Sequence, residues 1–140
     1  MKVLVATILL LLQAQSVLAA DCAELNRLAL PSKAAFQKAT DEYKSSAVSQ
    51  LRDMLNDKEP PPINVIAQGV AETSKIITAM DKMIDYLNSV KIAGCFGKEA
   101  DGWSKAIQQM EAQRDGMRKD RSAYVEILSM MSKVEDKARK

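Results

Sequence analysis

Histidine is absent from this 140-residue chain. That absence excludes Ser-His-Asp and Cys-His catalysis, histidine-zinc sites, histidine-ligated haem and histidine-based pH switching. Carboxylate or lysine chemistry stays open. No Asn-x-Ser/Thr triplet occurs, so N-glycosylation is not expected. A Gly-rich phosphate loop, a CxxC pair and an EF-hand calcium loop are also missing. No catalytic, cofactor-binding or metal-ligating residue is assigned on these grounds. Charge of one sign is lacking too, with 20 Lys+Arg against 18 Asp+Glu. Such a balance argues against a nucleic-acid partner, which would require many phosphate contacts.

Long hydrophobic runs are confined to the first residues. Met1-Lys2 is followed by an apolar run from Val3 to Leu12, then by a more polar stretch ending Val17-Leu18-Ala19-Ala20. This is the layout of a secretory signal: charged start, short apolar middle, small residues at the cut. A spanning helix needs about 20 apolar residues, and Gln13, Gln15 and Ser16 interrupt this run. Cleavage is expected after Ala19, or alternatively after Ala20. Residues 1–19 then form the signal peptide and residues 20–140 one domain. Loss of the signal removes Lys2 alone among charged residues and leaves a net charge of +1. The C-terminus, Glu135-Asp136-Lys137-Ala138-Arg139-Lys140, is not an ER-retention signal. A secreted, extracellular protein without stable membrane insertion is expected.

Two cysteines, Cys22 and Cys95, remain past the signal. In an oxidising compartment they are expected to pair within the chain.

Proline and glycine are sparse, four and five residues, and they mark the breaks. Pro31 stands early, Pro60-Pro61-Pro62 forms a hard break, and Gly94, Gly97 and Gly102 cluster at a second. Between them lie helix formers: Ala, Leu, Met, Lys, Glu and Gln. A first amphipathic segment runs from about Ser32 to Asp57, with Phe36, Ala39, Tyr43, Ala47, Leu51 and Met54/Leu55 on one face. Ser32 is its expected N-cap, and a shorter helix over Cys22–Leu30 is expected to end near Pro31. The second segment runs from about Asn64 to Ile92. Ile66, Val70, Thr73, Ile77, Met80, Ile84 and Leu87 form its stripe, widened by Ile76, Met83 and Val90. Asn64 is expected to cap its start and Gly94 to take the left-handed position after its end. The third segment, from about Asp101 to Ala138, repeats Trp103, Met110, Met117, Tyr124, Met131 and Ala138 at every seventh residue. Ile107 and Leu128 add to a second row. Arg114 and Arg121 make the seam mixed in its middle, and Gly116 there admits a bend.

No segment alternates like a strand. The fold class is all-α: an up-down-up bundle of three long helices, with a short extra N-terminal helix and one disulfide. The first two segments span roughly 39 and 43 Å, and the third roughly 57 Å if straight. The third must overhang, bend, or pack against the N-terminal piece. Cys22 and Cys95 fall at the same end of such a bundle, which supports their pairing.

Several residues stand out as functional candidates. Phe96 and Trp103, beside the presumed staple, read either as aromatic anchors for a partner or as caps on the core. Arg114, Arg118 and Arg121 recur at helical spacing. They read as a basic strip for a glycan, an anionic membrane or an acidic protein, or as a solvated face neutralised by Asp115 and Asp120. Asp81 and Asp85, one turn apart, fit a solvated face better than a catalytic pair. Seven methionines past the signal suit either ordinary core filling or an adaptable lipophilic groove. Met130 and Met131 cannot both face the core.

The expected function is that of a secreted non-enzymatic protein. It binds and modulates or inhibits another extracellular protein, such as a protease or complement component. The alternatives are a carrier of a lipophilic small molecule or lipid through its Met-rich seams, and an amphipathic membrane-surface protein.

Overall fold

In a computed structural model of the chain, residues 2–55 and 61–139 are described; side-chain surroundings are described from Asp21 onward, except at 47, 49, 52 and 135. Asp57 and Pro60, at the expected first segment end and proline break, lie outside the described residues. The helices are α1 (Lys2–Ser45), α2 (Leu51–Met54), α3 (Ile63–Ile92) and α4 (Ala100–Ala138). Short 3-10 turns cover Ala47–Gln50 and Gly97–Glu99. The described residues contain no strand.

The helices alternate in direction. Asn26 and Lys33 of α1 meet Tyr86 of α3, while Cys22 meets Cys95 beyond its end. Arg114 of α4 meets Asp81, and Arg121 meets Ser74. In both pairings, rising numbers on one helix face falling numbers on the other, so α1 and α4 each run antiparallel to α3. The middle helix packs extensively on both neighbours, which barely touch one another. Its wide stripe explains this arrangement: Ile66, Thr73, Ile76, Ile77, Met80, Ile84, Leu87 and Val90 are all buried.

Two apolar clusters form the ends of the core. Leu51, Ile66 and Tyr124 make one, with Val70, Ile127 and Met131 packed against it. Ile84, Leu87 and Ile107 make the other, joined by Met83, Phe96 and Met110. The mixed middle of the α4 seam lies between them. Met130 is exposed while Met131 packs on the first cluster, as expected of neighbours that cannot share a face. Beyond Met131, α4 overhangs α3, and Val134 is 67% exposed. Thr73 is 1% exposed, and its hydroxyl donates to the Gly69 carbonyl at 2.6 Å, which satisfies the buried group.

Three local expectations are corrected. No break occurs at Pro31; α1 passes through it, so Ser32 caps nothing and Cys22–Leu30 is not a separate helix. Proline removes one helical hydrogen bond and crowds the preceding turn. Asn26 and Lys33, on either side of Pro31, both meet Tyr86 of α3, and Ala29 between them is buried. The first segment also stops earlier than expected, at Ser45. The Ser46 backbone is extended, and the Ser45 and Ser46 hydroxyls donate to carbonyls of the last turn, a competition that ends helices. Finally, Pro62 rather than Asn64 occupies the cap position of α3. Its extended backbone (φ −57°, ψ 145°) leads the chain in, and its carbonyl accepts from Val65 at 2.9 Å.

Candidate functional site

The end of α3 shows how a short sequence places the staple. Gly94 has φ +72° and Gly97 φ +53°, the left-handed region that favours glycine. With Gly94 in that conformation, its own amide donates to the Lys91 carbonyl, and the Cys95 amide donates to the Val90 carbonyl at 3.1 Å. These two bonds are the pair that closes a helix end in a Schellman turn. They reverse the chain at Cys95 and turn it toward α1. Cys22 and Cys95 are bonded, with Cα atoms 5.7 Å apart, inside the range a disulfide requires.

Directly after the staple, Phe96 packs on the Ile84, Leu87 and Ile107 cluster. Trp103, from the first turn of α4, lies flat on Phe96, with ring centroids 4.9 Å apart and planes 7° apart. The two residues therefore stand in sequence from core to solvent: Phe96 caps the core, and Trp103 covers Phe96 while staying 39% exposed. Trp103, Gly102 and Ala106 with Glu99 line a shallow hollow on the surface. Also at this end, Ile92 is 87% exposed. With Leu25 and Ala93 it borders a second shallow hollow beside the α1 residues Asp21 and Glu24. Sequence alone did not single out Ile92. It closes the second segment two residues past Val90, off the stripe, and its side chain is left outside.

The three arginines are drawn into a seam between α3 and α4. Arg114 Nη1 donates to Asp81 Oδ1 at 3.2 Å and its Nε to Asp115 at 3.1 Å. Arg118 Nη2 donates to both Asp81 oxygens at 3.1 Å. Arg121 Nε donates to Ser74 Oγ at 2.6 Å. Partial burial pulls the Arg114 guanidinium down, but the hydrogen bonds and charges of Asp115 and Asp81 outweigh it, and its pKa lies above the ordinary value. Asp81 is thus held by two arginines rather than standing as an isolated partner of Asp85. Asp115 neutralises part of the strip, as expected; a second carboxylate, Asp81, comes from the facing helix, which periodicity within α4 has no means of showing.

Methionines contribute to the core: Met80 is buried, and Met83, Met110 and Met131 pack against the two clusters. Among the described residues, no group of three or more acidic or cysteine side chains is placed to hold a metal ion. No described helix is long and apolar enough to cross a membrane. Comparison with known protein families, curated proteins and solved structures finds no match.

Proposed function

We propose that this protein is exported, loses residues 1–19, and acts outside the cell as a non-enzymatic protein that binds and modulates another extracellular protein. A protease or complement component is a fitting target. Cleavage after Ala19 or Ala20 would start α1 within a turn of Cys22. The disulfide then secures a helix end that would otherwise fray. The observation that carries the binding reading is Trp103. It is a large aromatic stacked on Phe96, still partly open to solvent, at a stapled end that also exposes Ile92. Partly exposed aromatics are common energetic anchors of protein interfaces.

The test is capture from the extracellular fluid of the tissue that expresses the chain. One dominant protein should be retained by the native chain and lost by Trp103→Ala, with helical content and disulfide unchanged. Equal recovery by both forms, or no specific partner in any relevant fluid, would overturn the reading. Amino-terminal sequencing of protein from the medium should begin at Ala20 or Asp21.

A further inference from the structure

A groove of about 530 Å³ runs along the surface between α1 and α3. Small side chains line it: the half-buried Ala39 from α1 and the buried Ala79 from α3 form its floor, with Ala35 and Thr78 exposed beside them. The Thr78 hydroxyl donates to the Ser74 carbonyl at 2.9 Å, and that of Ser74, also in the groove, to the Val70 carbonyl at 2.6 Å. Both polar groups serve their own helix, so the trough is largely apolar. Its walls carry Lys38, Lys75 and Lys82 against a single carboxylate, Glu42. Lys38 lies 3.9 Å from Glu42, one helical turn on, in an exposed pair. Lys75 and Lys82 have no ion-pair partner among the described residues. Their aliphatic stems extend the apolar walls while their ammonium groups stay in water.

We propose that this groove binds a single-chain anionic amphiphile, with its alkyl chain on the alanine floor and its carboxylate or phosphate headgroup at the rim formed by Lys75 and Lys82. Charge complementarity selects the anion, since two unpaired cations border an apolar trough. Size argues against a helix as occupant. The groove volume falls in the range of small-molecule sites, roughly 300–1,000 Å³. A two-turn helix, about 10 Å across and 11 Å long, has a larger volume than the groove offers. This site is separate from Trp103 and does not depend on the reading given for it.

The test titrates the disulfide-bonded protein with dodecanoate and dodecyl phosphate, kept below micelle-forming concentrations, and follows amide resonances. Saturable binding of either anion is expected, with the largest shifts at Ala35, Ala39 and Ala79; the tighter of the two identifies the headgroup. The Lys75→Glu/Lys82→Glu form should bind about tenfold more weakly or worse with unchanged helical content. Ala39→Leu, which fills the floor and leaves the rim charges in place, should block binding. Dodecyltrimethylammonium, with the same chain and opposite charge, should bind far more weakly. Equal affinity for the cation, insensitivity to the lysine changes, or shifts centred on Trp103 would overturn the proposal. So would an acidic helical peptide that displaces the amphiphile from these residues and binds more tightly.

Discussion

Trp103 lies face to face with Phe96, 4.9 Å between ring centroids, and Phe96 in turn rests on the Ile84–Leu87–Ile107 cluster. The outer ring is thus supported on one face without being buried. Aromatic pairs of this kind contribute about 0.5–1.5 kcal/mol beyond the area they cover. Trp103→Ala should lower stability by roughly 1–2 kcal/mol and leave the fold intact. Phe96→Ala, which also opens the core, should cost more, about 3 kcal/mol. Urea unfolding followed by circular dichroism separates the two. Trp103 is the one tryptophan in the chain, so its fluorescence reports this end alone.

The Cys22–Cys95 bond joins residues 73 apart in sequence. Closing a loop of that length stabilises by about 4 kcal/mol in the chain-entropy account. The Cys22→Ser/Cys95→Ser form should lose a comparable amount, read as a lower urea midpoint. It should also show faster amide exchange in the first turns of α1 after residue 20 than in the middle of α3. Equal exchange in both places would mean that packing, not the staple, holds that end.

Two glycines within helices should respond with opposite sign. A Cβ at Gly69 would stand 2.5 Å from Leu51 Cδ2 and 3.3 Å from Tyr124 Cδ2. Leu51 and Tyr124 are both buried, so neither can move aside freely. Gly69→Ala should destabilise by about 1–3 kcal/mol despite alanine's better helix propensity. Nothing approaches the corresponding point at Gly116. Gly116→Ala should therefore stabilise by roughly 0.5–1 kcal/mol. Thermal melts of the two variants side by side provide the check.

Asp81 accepts from both Arg114 and Arg118. Asp81→Ala leaves two facing guanidinium groups without their cross-helix partner. A fall of several degrees in Tm is expected. The loss should shrink at high salt, because the seam is partly open to screening. A Tm within a degree of the parent at low salt would show that the seam is decorative.

Stability should be flat from about pH 6 to 8, where histidine is the side chain that ordinarily titrates, because the chain has none. The acid side differs. Arg27, 2.7 Å from Glu24, holds that carboxyl below its ordinary 4.5. A lowered carboxylate pKa stabilises fully above the unfolded value, and that contribution disappears as pH falls through the folded one. Both side chains are exposed, so the part of the stability lost as Glu24 protonates is small, and Arg27→Met should make the acid limb only slightly shallower. Tm measured against pH for both forms tests the sign.

Much of this architecture is legible in the residue pattern. The α3 stripe from Ile66 to Val90 is buried almost residue for residue, because a 3.6-residue period leaves one face for the core. Gly94 takes the left-handed turn, since only glycine does so without cost, and that turn delivers Cys95 to Cys22. The apolar-mixed-apolar order along α4 became two clusters with a polar seam between them. Tertiary structure alone decided the rest. Pro31 stays within α1, between Asn26 and Lys33, which both meet Tyr86 of α3, a partner that a local proline preference does not register. The arginines of α4 turn to Asp81 and Ser74, partners 33 to 47 residues away, and sequence periodicity describes one helix at a time. The partial exposure of Trp103 on its stack with Phe96, and the lysine-edged trough between α1 and α3, likewise exist only once helices are set side by side. A pattern along the chain determines which face a helix buries, whereas a surface shared by helices depends on how closely they approach.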